Sequence, residues 1–176
     1  MRKTVLVVIA LALAALATTP TGGTTGTPAG GSTSPTFSAT IGGVAVNVTL
    51  PSTNWSKGAV SPSQFTINGP NNVVITVTPL AAAKGLGKTD MDKLCQDKLA
   101  EKAKAVTTGS KIEVAKNSSG VTYALRMFES GGNVHFVGLC GSGAGGVMFY
   151  AKVPVAQKNA VKNALKNILT ELALSG

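Results

Sequence analysis

Residues 121–153, VTYALRMFESGGNVHFVGLCGSGAGGVMFYAKV, decide how this chain folds. Within them, 121–129, 134–140 and 147–153 are rich in β-branched and aromatic residues, and Ser130-Gly-Gly-Asn133 and a glycine-rich stretch separate them as turns. Connections this short pair neighbouring strands antiparallel. Apolar residues fall at both parities, Leu125 beside Phe128 and Phe136 beside Val137, so both faces of the sheet need a covering layer. Residues 111–116 add a strand upstream, across Asn117-Ser-Ser-Gly120.

Working outward, the apolar period changes to a helical one on each side. Met91, Leu94, Cys95, Leu99, Ala103 and Val106 recur at helical spacing and predict an amphipathic helix over 89–106, with Thr89 and Asp92 forming a variant capping box. Pro154 stops the last strand, and Val161, Leu165, Ile168, Leu169 and Leu172 predict a closing helix over 155–173. Before the first helix, 37–41 and 44–50 flank Gly42-Gly43 as a hairpin. A second hairpin joins 65–67 to 73–78 across Asn68-Gly-Pro-Asn-Asn72, with Pro51 and Trp55 on an irregular segment between the two. The fold class is α+β: an antiparallel sheet flanked by helices, in the order four strands, helix, four strands, helix.

That order, the opening hairpin running into Pro51 and Trp55, and a closing helix ending Leu165-Lys-Asn-Ile-Leu169 together resemble the Mog1/PsbP-like fold over residues 37–176. Pro51-Ser-Thr-Asn-Trp55 carries one residue more than the Pro-Ser-Gly-Trp common in that family. The resemblance implies an α/β/α sandwich serving as an accessory or protein-binding module, in exported bacterial members an envelope or lipid-associated one. It brings no shared catalytic residue set.

The first residues address location. Arg2 and Lys3 precede an uncharged apolar run, and Ala15-Leu16-Ala17 has the small-x-small pattern of a signal-peptidase site, so residues 1–17 read as a signal peptide. The run is shorter than the roughly 20 residues a membrane-spanning helix needs. No cysteine lies near the cleavage point to receive a lipid, so the expected location is secreted or periplasmic. Residues 18–36 are almost wholly Thr, Gly, Ser, Pro and Ala, a flexible linker, and 37–176 suit a single domain. Cleavage leaves 14 basic residues against 7 acidic ones, a net charge of +7 that favours anionic surfaces and also keeps a protein soluble. In an oxidising compartment, Cys95 and Cys140 are expected to form a disulfide; the alternative is a pair of buried thiols.

Several motifs are decoys. Residues 82–89, AAKGLGKT, nearly match a phosphate-binding loop, but Ala82 replaces its first glycine and no later strand ends in a suitable Asp. Residues 141–146, GSGAGG, fit a dinucleotide fingerprint, yet a strand follows where a helix is required. A mobile hairpin loop that can line a ligand entrance is the better reading. The single histidine, His135, lies in a strand without partners at metal spacing, and no nucleophile elbow occurs, so no catalytic residue, metal or cofactor is assigned. Glu113 and Glu129 are the carboxylates that a sheet could bring together for a hydrolase. Sequons begin at Asn47, Asn54 and Asn117.

The binding residues singled out are Lys158, Lys162 and Lys166, spaced to align on one side of the closing helix with no interleaved acid. The expected role is an exported, non-enzymatic accessory domain that binds an envelope protein, an anionic lipid surface or an apolar small ligand between sheet and helix. Nucleic acid is excluded as a partner by few aromatics and a single mature arginine, Arg126. The alternatives are an exported hydrolase with a carboxylate site, and a structural surface domain on its tether, which would carry no sizeable apolar pocket.

Overall fold

In a computed structural model, which describes residues 34–105 and 108–176, the opening hairpin forms as its turn chemistry requires. Strands β1 (Thr36–Ile41) and β2 (Val44–Thr49) pair across Gly42 and Gly43, whose φ angles of 55° and 78° suit a residue without a side chain. The chain continues through β3 (Ser56–Ser61), β4 (Gln64–Asn68), β5 (Val74–Pro79), α1 (Lys88–Ala103), β6 (Ser110–Lys116), β7 (Thr122–Ser130), β8 (Asn133–Gly141), β9 (Gly146–Pro154), α2 (Lys158–Glu171) and β10 (Ala173–Ser175). The expected signal peptide, residues 18–33 of the expected linker, and Val106 of the expected helical stripe lie outside the described residues.

Among the described residues the class is α+β with antiparallel sheets and two helices, but the order differs from the expected one: five strands precede α1 and a tenth strand follows α2. The described strands form two sheets, one of order β1-β2-β10 and one of order β3-β4-β5-β9-β8-β7-β6. β3 has no apolar alternation to announce it. It is an edge strand with a register shift between Lys57 and Val60, held by pairing to β4 rather than by burial.

The long sheet is covered on both faces. Met91, Cys95 and Leu99 of α1 pack with Ala124, Val137, Leu139 and Met148 on one face. On the other, Val161, Leu165, Ile168 and Leu169 of α2, with Val46 and Val48 of β2, pack on Leu125, Phe136, Cys140, Phe149, Phe65 and Ile75. These side chains are at most 1 % exposed, apart from Met148 at 8 %, so both faces of the sheet are sealed from water.

The expected Cys95–Cys140 bridge is therefore a correction: both thiols are free. Cys140 has the parity of Val134 and Phe136 and faces α2, whereas Cys95 lies on the α1 face with its Sγ 3.3 Å from the carbonyl oxygen of Val137. The sheet itself separates them. Burial pushes the Cys95 thiol up to about 12 and the Cys140 thiol well above its ordinary value, so both stay protonated and packed as small apolar groups.

The capping box is a second correction. α1 starts after Gly87, which offers no side-chain cap, and Asp92 turns instead to the sheet. Arg126 of β7 donates from Nε and Nη2 to the two Asp92 oxygens at 2.7 and 3.0 Å and from Nη1 to the Thr108 carbonyl at 2.7 Å. Those charge-assisted hydrogen bonds hold the Asp92 carboxyl below its usual range against the cost of burial, and they fasten α1 to the sheet. α2 is anchored differently. The Asn117 amide donates to the carbonyls of Leu169 and Leu172 at 3.1 and 2.8 Å while its Oδ1 accepts from the backbone of Ser119 and Val121, both at 3.0 Å.

Candidate functional site

The register of β8 and β9 sets His135 opposite Lys152, two positions from the Val137–Tyr150 pair. His135 and Tyr150 therefore share the α1 face, and the His135 Nδ1 lies 3.1 Å from the Tyr150 hydroxyl. Lys102, in the last turn of α1, sits 5.4 Å above the Tyr150 ring. Lys104 follows at the helix C-cap with φ 52°, a left-handed position where glycine is usual, so a charged side chain stands there at a backbone cost. With Asn133, Ser130 and Gly131, these groups line an open hollow of about 520 Å³.

The chemistry of this hollow is cationic and hydrogen-bonding. Lys102, Lys104 and Lys152 are in its wall, and no carboxylate is. Burial, then the ammonium of Lys152, pulls the His135 imidazole below its usual value of 6.5, and burial pushes the Tyr150 phenol up. At neutral pH the two rings are an uncharged pair between three ammonium groups. The set can bind an anion and hydrogen-bond it.

The lysines singled out from the sequence lie elsewhere. Lys158 meets Glu129 at 3.0 Å and Lys166 meets Glu113 at 3.2 Å; among the described residues Lys162 has no ion pair. The helix carries no interleaved acid, but the sheet beneath supplies two. Glu113 also accepts from the Tyr123 hydroxyl at 2.9 Å. In register Glu113 opposes Leu125, four residues from Glu129, which sets the two backbones about 13 Å apart along the strand.

Of the sequons, Asn54 is exposed, the Asn47 side chain accepts from Ser38, and the Asn117 amide nitrogen is occupied by α2. The two glycine-rich decoys meet each other: a Cβ on Gly141 would lie 1.8 Å from the Ala83 carbonyl oxygen, and one on Gly146 would lie 2.5 Å from that of Leu80. These glycines admit the 80–87 segment onto the end of the β8–β9 hairpin. Among the described residues, no helix is long and apolar enough to cross a membrane.

No signal in the sequence marks Lys102, Lys104, Tyr150 and Lys152 as a set, because only the β8–β9 register and the docking of α1 bring them together. The turn at 142–145 carried part of it, since locating that turn pairs His135 with Lys152.

No family model matches this chain, and no curated protein matches it. Among solved structures it is similar to LpqN of Mycobacterium tuberculosis, described as involved in cell envelope biogenesis. The identity is 11% and the TM-score 0.45, over 81% of this chain and 91% of that one. It is also similar to a structure from Bacteroides thetaiotaomicron, at 13% identity and a TM-score of 0.38, over 74% of this chain and 45% of that one. Neither bears the Mog1/PsbP name, and likenesses below a TM-score of 0.5 decide neither fold nor function.

Proposed function

We propose that this chain is an exported, non-catalytic accessory domain that binds an anionic envelope surface through the Lys102, Lys104, His135, Tyr150 and Lys152 hollow. One observation carries the reading: three ammonium groups converge on a neutral His–Tyr pair with no carboxylate in the wall, so their charge is available to a ligand. Export rests on the pattern of residues 1–17. An apolar ligand between sheet and helix has less support, because Met91, Cys95, Leu99, Leu165 and Ile168 already fill those layers. A hydrolase has less support because Glu113 and Glu129 each have a lysine partner and stand far apart.

The test sets the two groups of lysines against each other. Lys102, Lys104 and Lys152 are replaced together by Gln, and in a second variant Lys158, Lys162 and Lys166 are. Both are sedimented at low salt with phosphatidylglycerol vesicles and with phosphatidylcholine vesicles. The hollow variant should lose most of its binding to the anionic vesicles while the helix variant keeps it, and added salt should release the unaltered chain. Equal binding by the hollow variant and the unaltered chain rejects the reading.

A further inference from the structure

At the opposite end of α1 the two glycine-rich segments enclose a second hollow, of about 410 Å³, lined by residues 85–88, Lys116, Gly120, Thr122 and residues 141–143. Its position follows from register: Lys116 pairs with Thr122 and Thr122 with Gly141, so the Lys116 and Thr122 side chains rise from the same sheet face beside the start of α1. Three features converge there. Gly87 offers no side-chain cap, and the backbone N–H groups of Lys88, Thr89 and Asp90 have no acceptor among the described residues, Met91 being the first to bond back to Gly87; Lys88 is in the hollow's wall, and Thr89 and Asp90 follow it in the first turn. Lys88 and Lys116 bring two ammonium groups. Thr122 is only 8 % exposed and lines the hollow, yet its hydroxyl has no hydrogen-bond partner among the described residues. Among the described residues the one buried side-chain oxygen or nitrogen without a partner is Glu113 Oε2, so the unpaired Thr122 hydroxyl reaches the open space of the hollow, where a ligand can bond it. The hollow's wall holds no carboxylate; Asp90, in the first turn of α1, is exposed and outside it.

We propose that this hollow is a binding site for a phosphate group, held by the free amides at the start of α1, the Thr122 hydroxyl and the ammonium groups of Lys88 and Lys116. A dianionic tetrahedral oxyanion matches the set: it takes several donors at once and is stabilised by the positive end of the helix dipole and two cations. The resemblance of residues 82–89 to a nucleotide loop is not needed, and no magnesium ligand is invoked. The site is separate from the hollow at the other end of the helix, and the two readings fail independently.

The experiment titrates the purified full chain with inorganic phosphate, followed by amide-resolved NMR, against sodium chloride at equal ionic strength. The Thr89 and Asp90 amide resonances should shift and saturate with phosphate alone. Thr122→Val should weaken that binding about tenfold, the worth of one hydrogen bond to a charged group, while Thr122→Ser keeps it. Lys88→Gln with Lys116→Gln should weaken it further, and Lys57→Gln, on the exposed edge strand β3 and in neither hollow, should leave it unchanged. A parallel arm replaces phosphate with phosphatidic acid vesicles. Binding that depends on Lys88 and Lys116 assigns the phosphate to a lipid headgroup, and phosphate binding without vesicle binding assigns it to a free phosphate compound. Shifts matched by chloride, or a Thr122→Val variant that binds phosphate as well as the unaltered chain, overturn the proposal.

Discussion

On the α2 side of the long sheet, Lys158 and Lys166 meet Glu129 and Glu113 at 3.0 and 3.2 Å; on the α1 side, Lys102, Lys104 and Lys152 surround a hollow whose wall has no carboxylate. The α2 side uses its charges on itself. Its helix is also tied down by neutral bonds from Asn117, so that layer is a closed structural unit. The α1 side turns Asp92 inward, onto Arg126, pairs Glu101 with Lys98, and leaves Lys102 and Lys104 at the helix end without an ion pair among the described residues. What separates the two groups of three lysines is pairing: two of the three on α2 meet a glutamate, and none of those around the hollow has an ion pair among the described residues.

The largest expected effect tests how α1 is held. Arg126→Ala removes the three donors that join Asp92 and the Thr108 carbonyl. It should cost about 3 kcal/mol in urea unfolding, as expected for several charge-assisted hydrogen bonds lost from a partly buried pair whose carboxylate keeps only Lys111, at 3.2 Å. A loss below about 1 kcal/mol would class the pair with weak surface bridges. Next comes the α2 anchor: Asn117→Ala leaves the Leu169 and Leu172 carbonyls without their donor and should cost about 2 kcal/mol by the same assay. An unchanged midpoint would show that water replaces the amide.

Lys104→Gly sharpens the comparison further, since it relieves the left-handed backbone at φ 52° and removes a hollow lysine. Stability should rise by about 1 kcal/mol while vesicle binding weakens. A variant that is both more stable and equally adhesive would take Lys104 out of the site. The smallest effect is that of His135. Its imidazole titrates below 6.5 in the folded chain, so between that folded value and 6.5 the unfolded chain holds more protons. Stability from this group is thus complete above 6.5 and declines as pH falls below it, whereas anion binding strengthens as the ring gains charge. His135→Gln should flatten both slopes between about pH 7.5 and about pH 5.

Much of the fold is legible in the sequence where turn chemistry and period agree. Gly42-Gly43, Ser130-Gly-Gly-Asn133 and Pro154 bound their strands as read, and the stripes of Met91, Cys95 and Leu99 and of Val161, Leu165 and Ile168 are the buried sides of the helices. β3 was not legible because Ser56-Lys-Gly-Ala-Val-Ser61 is an exposed edge, held by a neighbour's backbone. The missing disulfide has a similar origin. Strand parity shows that Cys140 shares a face with Phe136, but nothing in the sequence says on which face α1 docks. The lysines of α2 were found by spacing within one helix, and their glutamate partners come from β6 and β7. Both hollows were hidden for that reason too, each being assembled from elements distant along the chain.

The most direct measurement is hydrogen exchange of the full chain with and without phosphatidylglycerol vesicles. Protection should appear at residues 102–104, 130–135 and 150–152, with α2 exchanging as before. Protection confined to α2, leaving the α1 side unaltered, would contradict the assignment of binding to the unpaired lysines.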